Sequence, residues 1–165
     1  MAAGMTYFPI ATTTLGSSVA SYTFTSIPST YTDLVLICNG TANAESCYAF
    51  QVGNGSVDTG SNYSSTMIYG TGSVAGSDRT SNATNGTLGR TSNTITTSYA
   101  YFQNYANTST YKTVLSRGGI AAQGVVGVVS MWRSTAAINT IKLTIDQGGN
   151  IASGTTFTLY GIAAA

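Results

Sequence analysis

Acidic side chains are the first candidates for chemistry in this sequence, because the chain contains no histidine. The 165 residues include only five carboxylates, which lie singly and mostly beside turn residues, at Asp33, Glu45, Asp58, Asp78 and Asp146. Glycoside hydrolysis needs two carboxyl groups about 5–9.5 Å apart, one of them held protonated, and no spacing here predicts such a pair. A serine or cysteine nucleophile needs a base, and without histidine only Lys112 and Lys142 remain. We therefore expect no enzyme activity and no cofactor.

The cysteines and acidic residues do not predict a metal site either. Two cysteines, Cys38 and Cys47, do not make a zinc site without a histidine. Asp58 and Asp78 lack the spacing of an EF-hand, so turn formation is their expected role. The segment between the cysteines predicts a hairpin loop, across which the thiols could face each other. Two buried free thiols in a reducing cytoplasm are the favoured interpretation, and a disulfide stays open.

The low charge of the chain limits its partners. Six basic residues stand against five acidic ones, and charged residues make up 7% of the chain against about 25% in an average soluble domain. This balance provides no basic surface for nucleic acid or for an anionic membrane. The longest apolar segment, 118–132, is shorter than the roughly 20 residues that span a bilayer, so we expect no membrane anchor. A net charge of +1 instead favours self-association.

Short β-rich runs separated by Gly, Asn and Ser dominate the chain, and none has a sustained helical period. Such runs predict strands at 19–25, 33–39, 47–52, 99–104, 111–116, 125–133, 138–146 and 155–162. An antiparallel sheet must bury its apolar face against a second layer, so the runs predict an all-β antiparallel β-sandwich of the jelly-roll type. An immunoglobulin-like sandwich and a closed barrel are the alternatives.

A single sandwich domain is expected over residues 19–162, because one domain usually has about 100–150 residues. Residues 1–18 are then an N-terminal arm, and residues 163–165 are a C-terminal tail. The segment 53–93 is rich in Gly, Ser, Thr and Asn, so we predict a long loop region there. A short helical turn is expected at 134–138.

Tyrosine is unusually abundant, with 11 residues, and it supplies candidate binding positions. On a strand, Tyr99 and Tyr101 share one face. Tyrosine has a rigid apolar body and a polar tip, which suits a protein interface, a sugar-stacking surface or the rim of a core. The residues we select as a candidate interface include the apolar residues of the arm and are Tyr7, Phe8, Ile10, Tyr101 and Tyr105.

Three segments carry a family resemblance. They are FTSIPSTYTDLVL (Phe24–Leu36), YKTVLSR (Tyr111–Arg117) and SGTTFTLYGI (Ser153–Ile162), of which the closing FTLYGI is the most specific. Together they resemble segments of tailed-bacteriophage virion structural proteins, especially those of marine and cyanobacterial phages. The resemblance covers scaffold strands, and the segment 40–93 shows none.

The resemblance implies a β-sandwich component of a virus particle without catalytic residues. Because the chain has no coiled coil or collagen-like repeat, we favour a capsid decoration (cement) protein over a fibre subunit. Its expected partners are the major capsid protein or other virion proteins, with neither nucleic acid nor membrane. A homo-oligomer is expected, and the family favours a trimer. The expected location is the capsid surface of the virion, after synthesis in the host cytoplasm. The alternative is a tail-fibre or spike module that binds a host receptor or glycan.

Overall fold

The computed structural model describes residues 6–120 and 122–163, and within these ranges the chain forms strands and no helix. The strands in chain order are β1 (Tyr7–Thr14), β2 (Tyr22–Phe24), β3 (Asp33–Gly40), β4 (Ser46–Asn54), β5 (Ser56–Val57), β6 (Tyr63–Gly70), β7 (Ala75–Ala83), β8 (Gly86–Thr91), β9 (Thr96–Phe102), β10 (Lys112–Ile120), β11 (Gly124–Trp132), β12 (Thr140–Ile145) and β13 (Thr156–Ile162). These ranges therefore contain no helix long and apolar enough to cross a membrane.

The strands form two antiparallel sheets that pack face to face. The large sheet has eight strands in the order β1-β13-β3-β9-β10-β11-β6-β7. The small sheet has the order β2-β12-β4, and both β5 and β8 pair with the other side of β4. Each sheet buries one face against the other, as apolar sheet faces require. The predicted all-β antiparallel sandwich is confirmed.

Alternating side chains build the core between the sheets. In β4 the inward residues of the predicted pattern are all buried, namely Tyr48, Phe50 and Val52. Phe50 packs edge-on against Phe102 of the large sheet, with ring centroids 5.4 Å apart. Tyr22 of the small sheet stacks on Phe157 of the large sheet at 5.6 Å. Each fully buried side chain of this size contributes about 1.5–3 kcal/mol, so these pairs hold the layers together.

Strand β8 ends the small sheet and lies against the centre of the large one. On its side away from β4, the Thr87 N–H donates to Ser65 Oγ at 3.3 Å and to Ser130 Oγ at 3.2 Å. Ser130 Oγ donates in turn to the Thr87 carbonyl at 2.9 Å. Gly89 permits the close approach, since a Cβ there would lie 2.1 Å from Ser98 Oγ. Hydroxyls of the large sheet thus satisfy the backbone N–H and carbonyl of Thr87, which would otherwise be buried unpaired.

The large sheet extends beyond the small one at one end. The chain crosses between the sheets at each connection from β1 to β4, and it crosses again at β5–β6, β7–β8, β8–β9, β11–β12 and β12–β13. Strands β10, β11, β6 and β7 continue the large sheet beyond β9. Because β8 packs mainly on β9, β10 and β11, strands β6 and β7 project past the small sheet. We call these two strands the wing.

Two parts of the predicted domain division are wrong. Tyr7–Thr14 of the predicted arm is β1, which pairs with β13 at the edge of the large sheet. The predicted loop region 53–93 contains β6, β7 and β8 as well as the short β5. Strand β7 is exposed over most of its length, so its sequence lacks the apolar alternation that reveals a strand. The helical turn at 134–138 is absent, and residues 1–5 and 164–165 lie outside the described ranges.

The predicted hairpin between the two cysteines is also wrong. Strand β3, with Cys38, belongs to the large sheet, whereas β4, with Cys47, belongs to the small one. The length of the connection does not reveal whether β3 and β4 pair, because a short loop fits either a hairpin or a crossing between the sheets. Both thiols are free. Burial raises the pKa of Cys38, which lies in the core, so this thiol stays protonated.

Candidate functional sites

The outer face of the large sheet carries exposed apolar side chains on adjacent strands. Alternation places Leu115, Val125, Val129 and Ile68 there, on β10, β11 and β6, and Tyr7 at the edge on β1. These five side chains are between 40% and 67% exposed. Single exposed apolar residues are ordinary, but a contiguous set indicates an interaction surface. We call this surface the outer face.

Tyrosine rings cover the half of the outer face nearest to β1. Val35 of β3 points outward and is nevertheless fully buried. Its neighbours in the register are Tyr101 on β9 and Tyr160 on β13. Tyr160 meets Tyr7 edge-on, with ring centroids 6.1 Å apart. The rings therefore shield an apolar floor and present their own faces and hydroxyls outward.

Few charges interrupt the outer face. The Arg117 guanidinium lies 5.3 Å from the centroid of the Tyr99 ring, within the range of a cation–π contact. The Tyr101 hydroxyl donates to Asp33 Oδ2 at 2.9 Å, and this bond, with partial burial, raises the pKa of Tyr101. Desolvation, together with the Tyr7 hydroxyl, raises the pKa of Tyr99 to about 12. These phenols are therefore neutral near pH 7, and the surface is apolar and hydrogen-bonding in character.

The structure separates the five predicted interface residues into two groups. Tyr7 and Tyr101 lie on the outer face. Phe8 and Ile10 are half-buried on the inward side of β1, where Phe8 packs against Tyr31 at 5.9 Å and Ile10 packs against the core. Tyr105 is fully buried, and its hydroxyl donates to the Pro28 carbonyl. The prediction of Tyr105 as an interface residue is therefore wrong, since a loop tyrosine with a buried partner for its hydroxyl belongs to the core.

Sequence reasoning missed the apolar centre of the outer face. Leu115 and Val129 are directly paired in the register, and Leu115 is also paired with Tyr101. The runs YKTVLS (111–116) and VVGVVSMWR (125–133) predict strands, but that prediction does not separate their outward residues from the inward ones. The signal was present in the alternation, because Val114 and Val128 are buried while Leu115 and Val129 are exposed.

A cleft lies between the wing and the end of the small sheet. Its volume is about 730 Å³, and its apolar lining comes from Met67 and Tyr69 of β6 and Val126 of β11. Three of the five acidic residues of the chain also line it, namely Glu45, Asp78 and Asp146. Arg90 of β8 is the basic residue in this lining. We call this space the wing cleft.

Hydrogen bonds and cross-strand pairs position the polar groups of the wing cleft. Cys47 is paired with Arg90 across β4 and β8, and its carbonyl accepts from the Asp146 N–H at 3.0 Å. Burial and the Asp146 carboxylate raise the pKa of Cys47 against the opposing effect of Arg90, so the thiol is protonated at neutral pH. Gln123 Nε2 donates to Glu45 Oε1 at 2.5 Å, which links the β10–β11 turn to the start of β4.

The carboxylates that line the wing cleft are open to solvent. Glu45 and Asp78 are exposed, and Asp146 is half-buried. Among residues 6–120 and 122–163, no three His, Cys, Asp or Glu side chains form a group that would hold a metal ion. The two acidic residues that the sequence analysis considered together, Asp58 and Asp78, lie on different elements: Asp78 is on β7 and Asp58 is in the connection before β6. The cleft is therefore a candidate for binding.

The contacts of Lys112 indicate a structural role. It belongs to a Ser-x-x-Lys segment that sequence reasoning overlooked, Ser109–Lys112. Its side chain is buried, and Nζ donates to the carbonyls of Thr110 at 2.8 Å and Thr135 at 3.2 Å, joining two loops. Burial lowers the pKa of Lys112. Because its hydrogen bonds go to backbone carbonyls, Lys112 is not positioned as a base for Ser109.

Asp58 forms the turn that the sequence predicts. Its Oδ1 accepts from the Gly60 N–H at 2.8 Å, and its Oδ2 accepts from Asn62 Nδ2 and from Trp132 Nε1, both at 2.8 Å. Partial desolvation raises the pKa of Asp58, but these three hydrogen bonds outweigh it and the net pKa is lowered. The carboxylate thus ties the β5–β6 connection to β11.

The geometry defines the chain as an all-β protein, an antiparallel sandwich with an apolar outer face and a polar cleft. No family model, no curated protein and no solved structure matches it. A function can therefore be argued only from these two surfaces and the connectivity of the strands.

Proposed function

We propose that the protein is a non-catalytic structural component of a tailed-bacteriophage virion, a capsid decoration protein that binds the head lattice through its outer face. The observation that carries this proposal is the set of exposed apolar side chains centred on Leu115 and Val129. Burial of such a surface in an interface is favourable by about 25 cal/mol for each Å² of apolar area that is removed from water. The partner is the major capsid protein or another virion protein.

The size of the outer face supports a stable contact. Eight strands about 4.8 Å apart and about eight residues long give a sheet face of roughly 1,000 Å². A standard protein interface buries about 800 Å² on each partner. The face is therefore large enough for a specific docking site.

The connectivity supports the same proposal. We interpret the two sets β1-β13-β3-β9 and β2-β12-β4-β8 as jelly-roll connectivity, with β5–β7 and β10–β11 as insertions. Jelly rolls occur in viral capsid domains and in lectin domains. The insertions supply β10 and β11, which carry the apolar centre of the outer face, and the wing. The additions to the jelly roll are thus the parts with candidate functional surfaces.

A salt wash of purified particles tests the docking chemistry. An apolar contact with few charges is expected to survive about 1 M salt, where the Debye length falls to about 3 Å. The protein should remain with the capsids after sedimentation. Wholesale release at high salt, with retention at low salt, contradicts an apolar contact.

We also propose that the protein is a homo-oligomer on the capsid surface, with three copies at each site.

The second candidate function is a tail-fibre or spike module that binds a host receptor or glycan. The wing cleft favours it, because the cleft combines a tyrosine with carboxylate and amide side chains. Labelling of intact particles separates the two functions. A decoration protein labels the head at many positions, and a fibre module labels the tail tip.

A further inference from the structure

The wing cleft continues into a longer groove. A second cavity of about 400 Å³ adjoins it and shares Asp146 and Gln147 with it. This second cavity follows the wing past Thr80 and Asn82. Volumes of about 300–1,000 Å³ are typical of sites that hold small ligands, and a groove open along a strand also admits a segment of a chain molecule.

Tyr69 provides an aromatic platform in the groove. It is half-buried, and it is paired in the register with Gly76 of β7. The phenol end of its ring lies over Gly76, where a Cβ would be 2.6 Å from Tyr69 Oη and 2.7 Å from Cζ. The glycine therefore leaves the space that the ring occupies and fixes its position against the backbone. A rigid ring of this kind offers an apolar surface to the C–H face of a sugar.

The charged groups around Tyr69 are mainly carboxylates, which are hydrogen-bond acceptors. Three carboxylates face one guanidinium in the lining, which gives a net charge of −2 (one positive and three negative groups). Carboxylates form strong charge-assisted hydrogen bonds with hydroxyl donors, and the amides of Gln123 and Gln147 add both donors and acceptors. The same negative charge repels sulfated, phosphorylated or sialylated ligands.

We infer that the wing cleft binds a short segment of a neutral, hydroxyl-rich polysaccharide. Tyr69 stacks on one sugar ring, and Asp78 and Asp146 accept hydrogen bonds from its hydroxyls. The cleft binds the glycan without cleaving it, because no lining carboxyl is buried. The inference rests on the second candidate function, which it makes specific, and it is separate from capsid docking, since the residues of the wing cleft and those of the outer face are different.

Calorimetric titration of the full chain with neutral hexasaccharides tests the inference. The probes are maltohexaose, cellohexaose and mannohexaose, with sialyllactose as the anionic comparison. We expect at least one neutral probe to bind and sialyllactose to bind at least about tenfold more weakly, which corresponds to 1.4 kcal/mol. Absence of binding by all three neutral probes overturns the inference, and so does equal or tighter binding of sialyllactose.

Variants of the platform locate the site. Tyr69→Ala should weaken binding of the neutral probe at least about tenfold, whereas Tyr69→Phe, which keeps the ring, should bind within a few-fold of the unaltered chain. Gly76→Ala should also weaken binding, because its Cβ displaces the Tyr69 ring. Tyr111→Ala, an exposed tyrosine outside the cleft, is the matched control and should bind normally. Wild-type affinity of Tyr69→Ala contradicts the assignment.

Two further readouts keep the result interpretable. Chemical shifts of the Tyr69 and Gln123 amides in the unaltered chain should move on titration with the bound probe, which requires no variant to fold. Shifts confined to other surfaces overturn the inference. Retention of Tyr69→Ala on phage heads measures capsid docking separately, so failure of the glycan site and failure of the decoration function give different results.

Discussion

Substitution of Leu115 by aspartate tests the docking role of the outer face. Leu115 lies between Tyr101 and Val129 in the register, at the centre of this surface. It is 40% exposed, so docking can bury at most that fraction of its side chain. Full burial of a leucine is worth about 1.5–3 kcal/mol, so Leu115→Ala should cost about 0.6–1.2 kcal/mol of binding free energy. That loss is about a three- to sevenfold weaker affinity.

Leu115→Asp should have a much larger effect than the alanine substitution. An unpaired carboxylate enclosed in an interface costs about 3–5 kcal/mol, which corresponds to a loss of more than about 100-fold. The free energy of unfolding should fall by only about 1–2 kcal/mol, because Leu115 is 40% exposed and the rest of its side chain packs against neighbouring residues of the sheet.

Rebinding to particles stripped of the protein measures these affinities. Purified variants are mixed with the particles over a range of concentrations, and the bound fraction is found by sedimentation. Ile95→Asp is the matched control, since Ile95 is an exposed apolar residue in the β8–β9 loop, away from the outer face. Rebinding of Leu115→Asp with the affinity of the unaltered chain would refute the reasoning.

Three other substitutions and treatments probe the fold. Gly89→Ala should lower the free energy of unfolding by about 1–3 kcal/mol in urea melts, because its Cβ meets Ser98 Oγ; an unchanged midpoint would argue against close packing of β8. The lowered pKa of Asp58 adds stability that is present above its unfolded value of about 3.9 and is lost as pH falls through the folded value. Asp58→Asn should therefore flatten the acid limb of the stability profile, and an unchanged limb would exclude this carboxylate as its source. Reducing agent should leave the melting temperature unchanged, since both thiols are free, and a decrease would reveal a disulfide.

The sequence predicted the strands whose two faces differ in environment. In β4, Tyr48, Phe50 and Val52 recur at every second position, and this period-2 pattern identified both the strand and its inward face. The wing was not predicted, because β7 has solvent on both faces and polar residues throughout. Backbone hydrogen bonds to β6 make β7 a strand, and such bonds do not depend on which side chains β7 carries.

Sheet membership and the wing cleft depend on contacts between distant parts of the chain. The short connection after Cys38 suggested a hairpin, but β3 pairs with β13 and β9, whose sequences are more than 50 residues away. Likewise Glu45, Asp78 and Asp146 meet at one cleft although no spacing relates them. The outer face was partly foreseen through Tyr7 and Tyr101. Its aliphatic centre required knowledge of which residues face away from the core.

Cryo-electron microscopy of intact particles is the most direct test of capsid docking. The account predicts density for the sandwich at repeated positions on the head, with β10 and β11 of the outer face turned toward the capsid shell. Density on the tail alone would contradict the decoration function. A head-bound sandwich with Leu115 and Val129 open to solvent would contradict the docking surface.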